Sequence, residues 1–353
     1  MMSTDPGSTP TDDTHATPRV SIGLPVRNGA NFVAQAIEAI CRQTFGEFEL
    51  IIADNASTDA TEAICRGHAT RDARIRYVRN PINLGAAENH RLVLALARAP
   101  FFKWQAHDDL LAPDFLARSV AELERQPDAV ACITGAIRLD GEGRDVTRWL
   151  SPLRDTESVD PADRFGAVVR TFFCHWTELF SLMRRSAVEE TSAIRPFRGG
   201  DIAFIAELAL VGRFARIDDY LFIHRDHAAR YYRAVDSDPK AVLAWYDPRR
   251  SERRVMHKWA LYASHIAAVR RHRLTLAQRT RCYLHLLSSM LMWVNLKGLA
   301  RDLTYAFDPR LVDLARALRH SVKSHLGLLA DATHVRPLSA TAHRIVFLSK
   351  DDA

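Results

Sequence analysis

"RVSIGLPVRNGANFVAQAIEAICRQTFGEFELIIAD", residues 19–54, switches its hydrophobic period twice. "VSIGLPV" is a short β-branched, apolar run closed by Arg27, Asn28 and Gly29, residues with turn chemistry. Phe32, Val33, Ala36, Ile37 and Ile40 then recur at helical spacing, and "FELIIAD" (48–54) is a second apolar run of strand length. Two strands joined through a helix make a parallel pair, because a parallel return needs a crossover connection.

The alternation continues downstream. "NASTDATEAI" offers Ser57, Thr58 and Asp59 as N-caps, with Glu62 placed to close a capping box. "IRYVRN" (75–80) reads as strand, "GAAENHRLVLALAR" (85–98) as helix and "FFKWQA" (101–106) as strand. "APDFLARSVAELERQ" (112–126) reads as helix with Pro113 in its first turn. Strands alternating with helices predict an α/β fold whose parallel sheet is covered on both faces. Ligands of such sheets bind beyond the carboxyl ends of the strands. Asp54 and the adjacent Asp108 and Asp109 both fall there. After "VACITGAIRL" (130–139) the pattern is less regular: "ELFSLMRRSAVEE" (178–190) reads as strand into helix, and "FARIDDYLFIHR" (214–225) as a further strand. Between them "DIAFIAELALVG" (201–212) reads as a helix capped by Asp201 and stopped by Gly212.

With 353 residues, 47% hydrophobic and 25% charged, the chain has the composition of a soluble globular protein, which excludes disorder as the default. Cys41, Cys65, Cys132, Cys174 and Cys282 are scattered, as expected of buried thiols in a reducing compartment. The first 17 residues lack a basic and apolar leader pattern and read as a polar tail; cytoplasmic residence is expected. Charge is uneven. Residues 249–323 hold 16 Lys and Arg against 4 Asp and Glu, a balance of +12, so a net +6 leaves about −6 on the rest. This basic, histidine-rich stretch, helical from about Trp245 to Arg319, suits an anionic membrane surface; no nucleic-acid-binding motif accompanies it. "YLHLLSSMLMWVNLKGLA" (283–300), the most apolar stretch, suits packing in a helical subdomain or an interfacial helix better than a span.

Why should an apolar strand end on "AHDD", residues 106–109? Neighbouring carboxylates repel unless a positive group sits between them, and a hard divalent cation takes oxygen ligands. Solvated loop residues or helix caps are the alternative reading of the pair alone.

The order of these features resembles the family 2 glycosyltransferases. The blocks that carry the resemblance are residues 21–59, "NPINLGAAENHRL", "QAHDDLLAPDFL" and "RGGDIAFIAELALVGRFARIDDYLFIHRDH". It implies a GT-A-type, Rossmann-like mixed sheet flanked by helices, with a C-terminal helical appendage. It implies that Pro25, Val26 and Arg27 border the nucleotide base and that Asp54 contacts base or ribose, with Asn55 where relatives often carry a second acid. Arg79 and Asn83 would line the donor pocket, while packing or capping suits Asn89 and His90. A divalent cation, Mn2+ or Mg2+, would sit on Asp109 and Asp108, with Asp108 also reaching sugar or ribose. Ala106 stands where many relatives have the first acid of the motif. His227 is a candidate distal ligand and His107 a weaker one. Asp201 would be the catalytic base, after glycines that let the backbone approach substrate, with Trp176 and Glu178 near an acceptor cleft.

The resulting expectation is an inverting transferase moving a sugar from a nucleotide-diphospho-sugar, a UDP-sugar first, to a saccharide or lipid-linked acceptor. A non-catalytic sugar-nucleotide-binding protein and a metal-dependent phosphohydrolase are the alternatives. The expected organisation is a tail (1–17), a transferase domain (18–235), a basic helical appendage (236–330) and a C-terminal tail (331–353).

Overall fold

The computed structural model describes residues 17–140, 143–171, 177–227, 230, 239–250 and 256–307. Cys174, Trp176, residues 236–238, 251–255 and 308–330 of the expected appendage, residues 1–16 and the expected C-terminal tail lie outside them.

The first half runs β1 (Val20–Val26), α1 (Val33–Cys41), β2 (Phe48–Asp54), α2 (Thr61–Ala69), β3 (Ile75–Arg79), α3 (Ala86–Ala95) and β4 (Phe101–Trp104). Then follow β5 (Leu110–Leu111), α4 (Phe115–Arg125), β6 (Ala129–Leu139), β7 (Asp145–Trp149) and α5 (Pro161–Arg170). β8 (Leu182–Arg184), α6 (Arg185–Glu189), α7 (Gly200–Val211) and β9 (Arg213–Arg225) complete the sheet region. The helices α8 (Pro239–Tyr246), α9 (His257–Arg271), α10 (Leu276–Leu291) and α11 (Trp293–Phe307) close the described chain.

The strands form one mixed sheet in the order β3-β2-β1-β4-β8-β6-β9-β5, with β7 paired to β6. β1 is parallel to β2 and β4, and β2 to β3. β8 is antiparallel to both β4 and β6, and β9 is parallel to β6. Two reversals restore the direction, so β6 and β9 end at the same edge as β1 to β4.

Strand alternation supplies two cores. On one face Val20, Ile22 and Leu24 of β1 and Leu50 and Ile52 of β2 meet Ile37 of α1 and Leu116 and Val120 of α4. On the other, Ile51 and Ala53 of β2 and Phe102 and Trp104 of β4 meet Val93 of α3, Phe165 of α5 and Phe204 of α7. Tyr262, Val269, Cys282, Leu286 and Leu299 of the C-terminal helices belong to this second core. Gly23 is where α3 comes closest: a Cβ there would lie 2.6 Å from a Val93 methyl carbon.

Several local expectations are corrected. α2 is entered from Ala60, which has no capping side chain, while Asp59 accepts from the Thr61 amide at 3.0 Å; Ser57, Thr58 and Asp59 also stitch this loop to the loop after β1, and Glu62 pairs with Arg66 and Arg79. Pro113 precedes α4, its carbonyl accepting from the Thr44 amide at 2.8 Å. The apolar run 283–300 is two helices, because Met292 leaves helical geometry at ψ 130°. Among the described residues no helix is long and apolar enough to cross a membrane.

Candidate active site

The diacid is held by contacts from both sides in sequence. Upstream, Lys103 of β4 is fully buried on an apolar face, and its Nζ reaches back to the Gln105 Oε1 at 2.7 Å and the Trp104 carbonyl at 2.9 Å. Gln105 in turn donates from Nε2 to the Asp109 carbonyl at 2.8 Å. Downstream, β5 pairs with β9, Leu110 opposite Ile223, so Asp109 is delivered to the end of β9. Its Oδ1 accepts from the Arg225 amide and from Arg230 Nη1, both at 3.0 Å. The rest of that carboxylate is an orphan: Oδ2 is buried and has no hydrogen-bond partner among the described residues.

Asp108 is 6% exposed, and its Oδ2 lies 2.9 Å from His227 Nε2 and 3.8 Å from Arg230 Nη1. Burial pushes its carboxyl up, but the His227 hydrogen bond and the charges of His107, Arg230 and His227 outweigh this and hold it well below the ordinary range. His107 is 4.0 Å from Asp108, and its ring packs where a Cβ on Gly29 would come within 2.6 Å. Phe32 supports the basic side of the site, with its ring centroid 4.6 Å from that of His227 and 4.5 Å from the Arg225 guanidinium.

Along the same edge, Asp54 at the end of β2 is fully buried. Its Oδ1 accepts from the Ser57 amide at 2.8 Å, and Oδ2 from Tyr77 Oη at 2.7 Å and Arg79 Nη1 at 2.9 Å. Burial and Asp54 together push the Tyr77 hydroxyl up beyond its usual value. Asn55, which replaces an acid of the resembled pattern, organises the "RNPINLG" turn: its Nδ2 donates to Asn83 Oδ1 at 2.7 Å and its Oδ1 accepts from the Leu84 amide at 2.8 Å. Asn80 bridges Asn55 and Asn89, and Asn89 donates to the Ala53 carbonyl, so Asn89 packs and positions as expected. Pro25 and Val26 pair with Ala53 and Asp54 across β1 and β2, and Arg27 is exposed just beyond.

Asp201 stands apart from the diacid, with no hydrogen bond or ion pair joining them among the described residues. It lies in the first turn of α7, whose N-cap is Gly199 and not Asp201. Gly199 is left-handed at φ 96°, and a Cβ on Gly200 would lie 2.2 Å from the Arg195 carbonyl oxygen. Gly200 therefore lets the loop close on the Arg195 carbonyl, and Gly199 supplies the left-handed turn into α7. Burial raises the Asp201 carboxyl, partly offset by backbone amides and Arg198. α9 braces the loop through the Arg198 amide, 3.1 Å from His257 Nδ1. Glu178 is buried beside Ser151.

Arg225, Arg230, Gln105 and Lys103 escaped the sequence reading. The only signal in the sequence is the basic density around "HRDHAAR". The donor set fits a divalent cation in kind: carboxylate oxygens, one of them orphaned, with an imidazole alongside. Among the described residues the three side chains do not yet converge on one point. Arg230 stands between them.

Residues 21–191 match the model of Glycosyl transferase family 2. EpsE of Bacillus subtilis (strain 168), a glycosyltransferase by name, is 31% identical over 185 residues, 51% of this chain and 62% of EpsE. The chain spans less than two thirds of the length of the curated relatives it matches. Among solved structures, S. aureus TarS 1-349 in complex with UDP-GlcNAc aligns with a TM-score of 0.58 at 14% identity, over 78% of this chain and 73% of that one. The mannosyltransferase PcManGT from Pyrobaculum calidifontis, in complex with GDP-Man and Mn2+, aligns at 0.50 and 17%, over 87% and 81%. At such identities the likeness is one of fold, a GT-A-type mixed sheet flanked by helices. Residues 21–191, which build β1 to β8 and carry the diacid, are thus similar to the family 2 glycosyltransferases.

Proposed function

We propose that this protein is an inverting glycosyltransferase that moves a sugar from a nucleotide-diphospho-sugar, a UDP-sugar first, onto a hydroxyl of a saccharide or lipid-linked acceptor. Surface polysaccharide or glycolipid assembly is the setting such an acceptor suits. The observation that carries this reading is the meeting of Asp108 and Asp109 with His227 and Arg230 at the carboxyl edge of the sheet. Carboxylates there suit a hard cation, and the flanking cations suit a diphosphate. The similar folds of TarS with UDP-GlcNAc and PcManGT with GDP-Man and Mn2+ support the donor class and the ion.

In this mechanism Asp108, Asp109 and His227 hold the ion, which when bound supplies Lewis-acid neutralisation of the departing diphosphate. Pro25, Val26, Arg27, Asp54, Arg79 and Asn83 frame the nucleotide. Asp54 does so mainly by fixing Tyr77 and Arg79, since both its oxygens are already engaged. Asp201 accepts the proton of the acceptor hydroxyl as the new glycosidic bond forms and the bond to the diphosphate breaks. Burial makes it a better proton acceptor than an exposed aspartate. Asp201→Asn is expected to abolish transfer while leaving the donor Kd unchanged, measured by calorimetry. Near-full turnover in that variant would remove the base assignment. Thermal shifts with UDP-, GDP- and dTDP-sugars, with and without Mn2+, identify the donor.

The helical appendage is proposed to rest on an anionic membrane surface. Leu284, Leu287 and Leu291 of α10 and Trp293, Leu296, Leu303 and Phe307 of α11 face solvent, and the Lys297 ammonium lies 4.7 Å over the Trp293 ring. Apolar stripes edged by Lys297 and Arg301 suit an interface. Vesicles rich in anionic lipid should float with the protein at low salt, and zwitterionic vesicles should do so less; no flotation on either would remove this part.

A further inference from the structure

Two negative charges and an unusual number of positive ones share the diacid corner. Asp109 is wholly buried, and Arg230 Nη1 lies 3.0 Å from its Oδ1 and 3.8 Å from Asp108 Oδ2. One guanidinium nitrogen thus addresses both carboxylates. It also reaches the Arg225 carbonyl, which sets its approach. His227 donates to Asp108 from the other side, and the Arg225 guanidinium stacks on Phe32 nearby.

Charge decides what can be added here. Arg230 already neutralises the pair in part, and at a few ångströms in a buried site like charges repel strongly. A divalent cation on the same oxygens and the Arg230 guanidinium exclude each other. Once displaced, the guanidinium remains tethered within a side chain's length of an anion that the cation would bridge, and a guanidinium binds phosphate oxygens through paired donors.

We propose that Arg230 is a resident counter-ion of the diacid, displaced by the divalent cation and transferred to the diphosphate, so that cation and nucleotide bind cooperatively. This rests on the cation site of the proposed function and adds to it a specific role for a residue outside the carboxylate set. Binding the cation alone is opposed by the loss of the guanidinium's contacts with Asp109 and Asp108. With the diphosphate present, the displaced group gains a partner. By linkage the nucleotide must favour the cation by the same factor by which the cation favours the nucleotide.

The test is calorimetric titration of Mn2+ into the full chain, with and without UDP, for the wild type, Arg230→Gln and Arg230→Lys, with thermal melts confirming that each variant is folded. In Arg230→Gln, Mn2+ alone should bind tighter by about fivefold or more, and the factor by which UDP enhances Mn2+ binding should shrink by a similar amount. Arg230→Lys, which keeps the charge but not the paired donors, should hold Mn2+ alone near the wild-type affinity and keep part of the enhancement by UDP. Equal or weaker Mn2+ binding by Arg230→Gln, or undiminished enhancement by UDP, would overturn the inference; so would a lysine variant that behaves like the glutamine one. A wild type that binds no Mn2+ with or without UDP would instead remove the cation site itself.

Discussion

Replacing Glu207 with Gln probes how α7, the helix that presents Asp201, is fixed against the C-terminal helices. Glu207 is 3% exposed and accepts from the Ser192 amide at 2.9 Å, from Arg271 and from His272 Nε2 at 3.3 Å. Burial alone would raise its carboxyl, but the His272 and Ser192 hydrogen bonds and the Arg271 charge bring it from 4.5 down to about 2. A folded-state value below the unfolded one means that the unfolded chain binds more protons between them, so stability rises with pH across that window. The contribution is complete above about pH 5 and drains away as pH falls toward 2. At about 1.4 kcal/mol per unit the shift corresponds to about 3 kcal/mol at neutral pH, with roughly half left at pH 3. Glu207→Gln keeps the size and an acceptor oxygen for Ser192 but cannot titrate. Urea unfolding at pH 7, 5, 4 and 3 should therefore show the wild type more stable by about 2–3 kcal/mol at pH 7 and the gap closing toward pH 3. Parallel losses in the two proteins over that range would refute the reasoning.

Gly29→Ala places a methyl 2.6 Å from the His107 ring and 2.7 Å from a Val26 methyl carbon, so one of them must shift. The expected loss is about 1–3 kcal/mol in urea unfolding, with weaker Mn2+ binding as His107 is pushed against Asp108. Burial brings the Lys103 ammonium down to about 7, below its unfolded value, so stability should rise with pH between about 7 and 10. Lys103→Met should flatten that rise, and loss of the Gln105 anchor should weaken Mn2+ binding; a profile as steep as the wild type's would exclude Lys103 as its source.

Much of the site was legible. Asp54 announced itself because an apolar strand stops on it, and Asp108 and Asp109, between β4 and β5, because an apolar run leads into them; position along an alternating chain already places both sites on one edge. His227 was legible from its motif and does meet Asp108. Arg230 was not, since a guanidinium in an irregular segment gives no periodic signal. Gln105 and Lys103 were hidden for the opposite reason: a buried lysine inside "FFKWQ" looks like one polar interruption of a strand, and only its reach to the strand's end reveals a purpose. The expected Asp201 cap failed because a left-handed glycine can begin a helix with no side-chain acceptor.

By itself the amino-acid order determined the parallel half of the sheet, the face each residue of β1 and β2 presents and the edge on which the carboxylates stand. Those features follow from local periods of two and 3.6 residues, which the chain states directly. What tertiary structure alone decided is the company the carboxylates keep. β5 is too short to show a period, yet its pairing with β9 brings residues from far along the chain against Asp108 and Asp109. Charges across such a distance in sequence interact only through space, and space is set by packing.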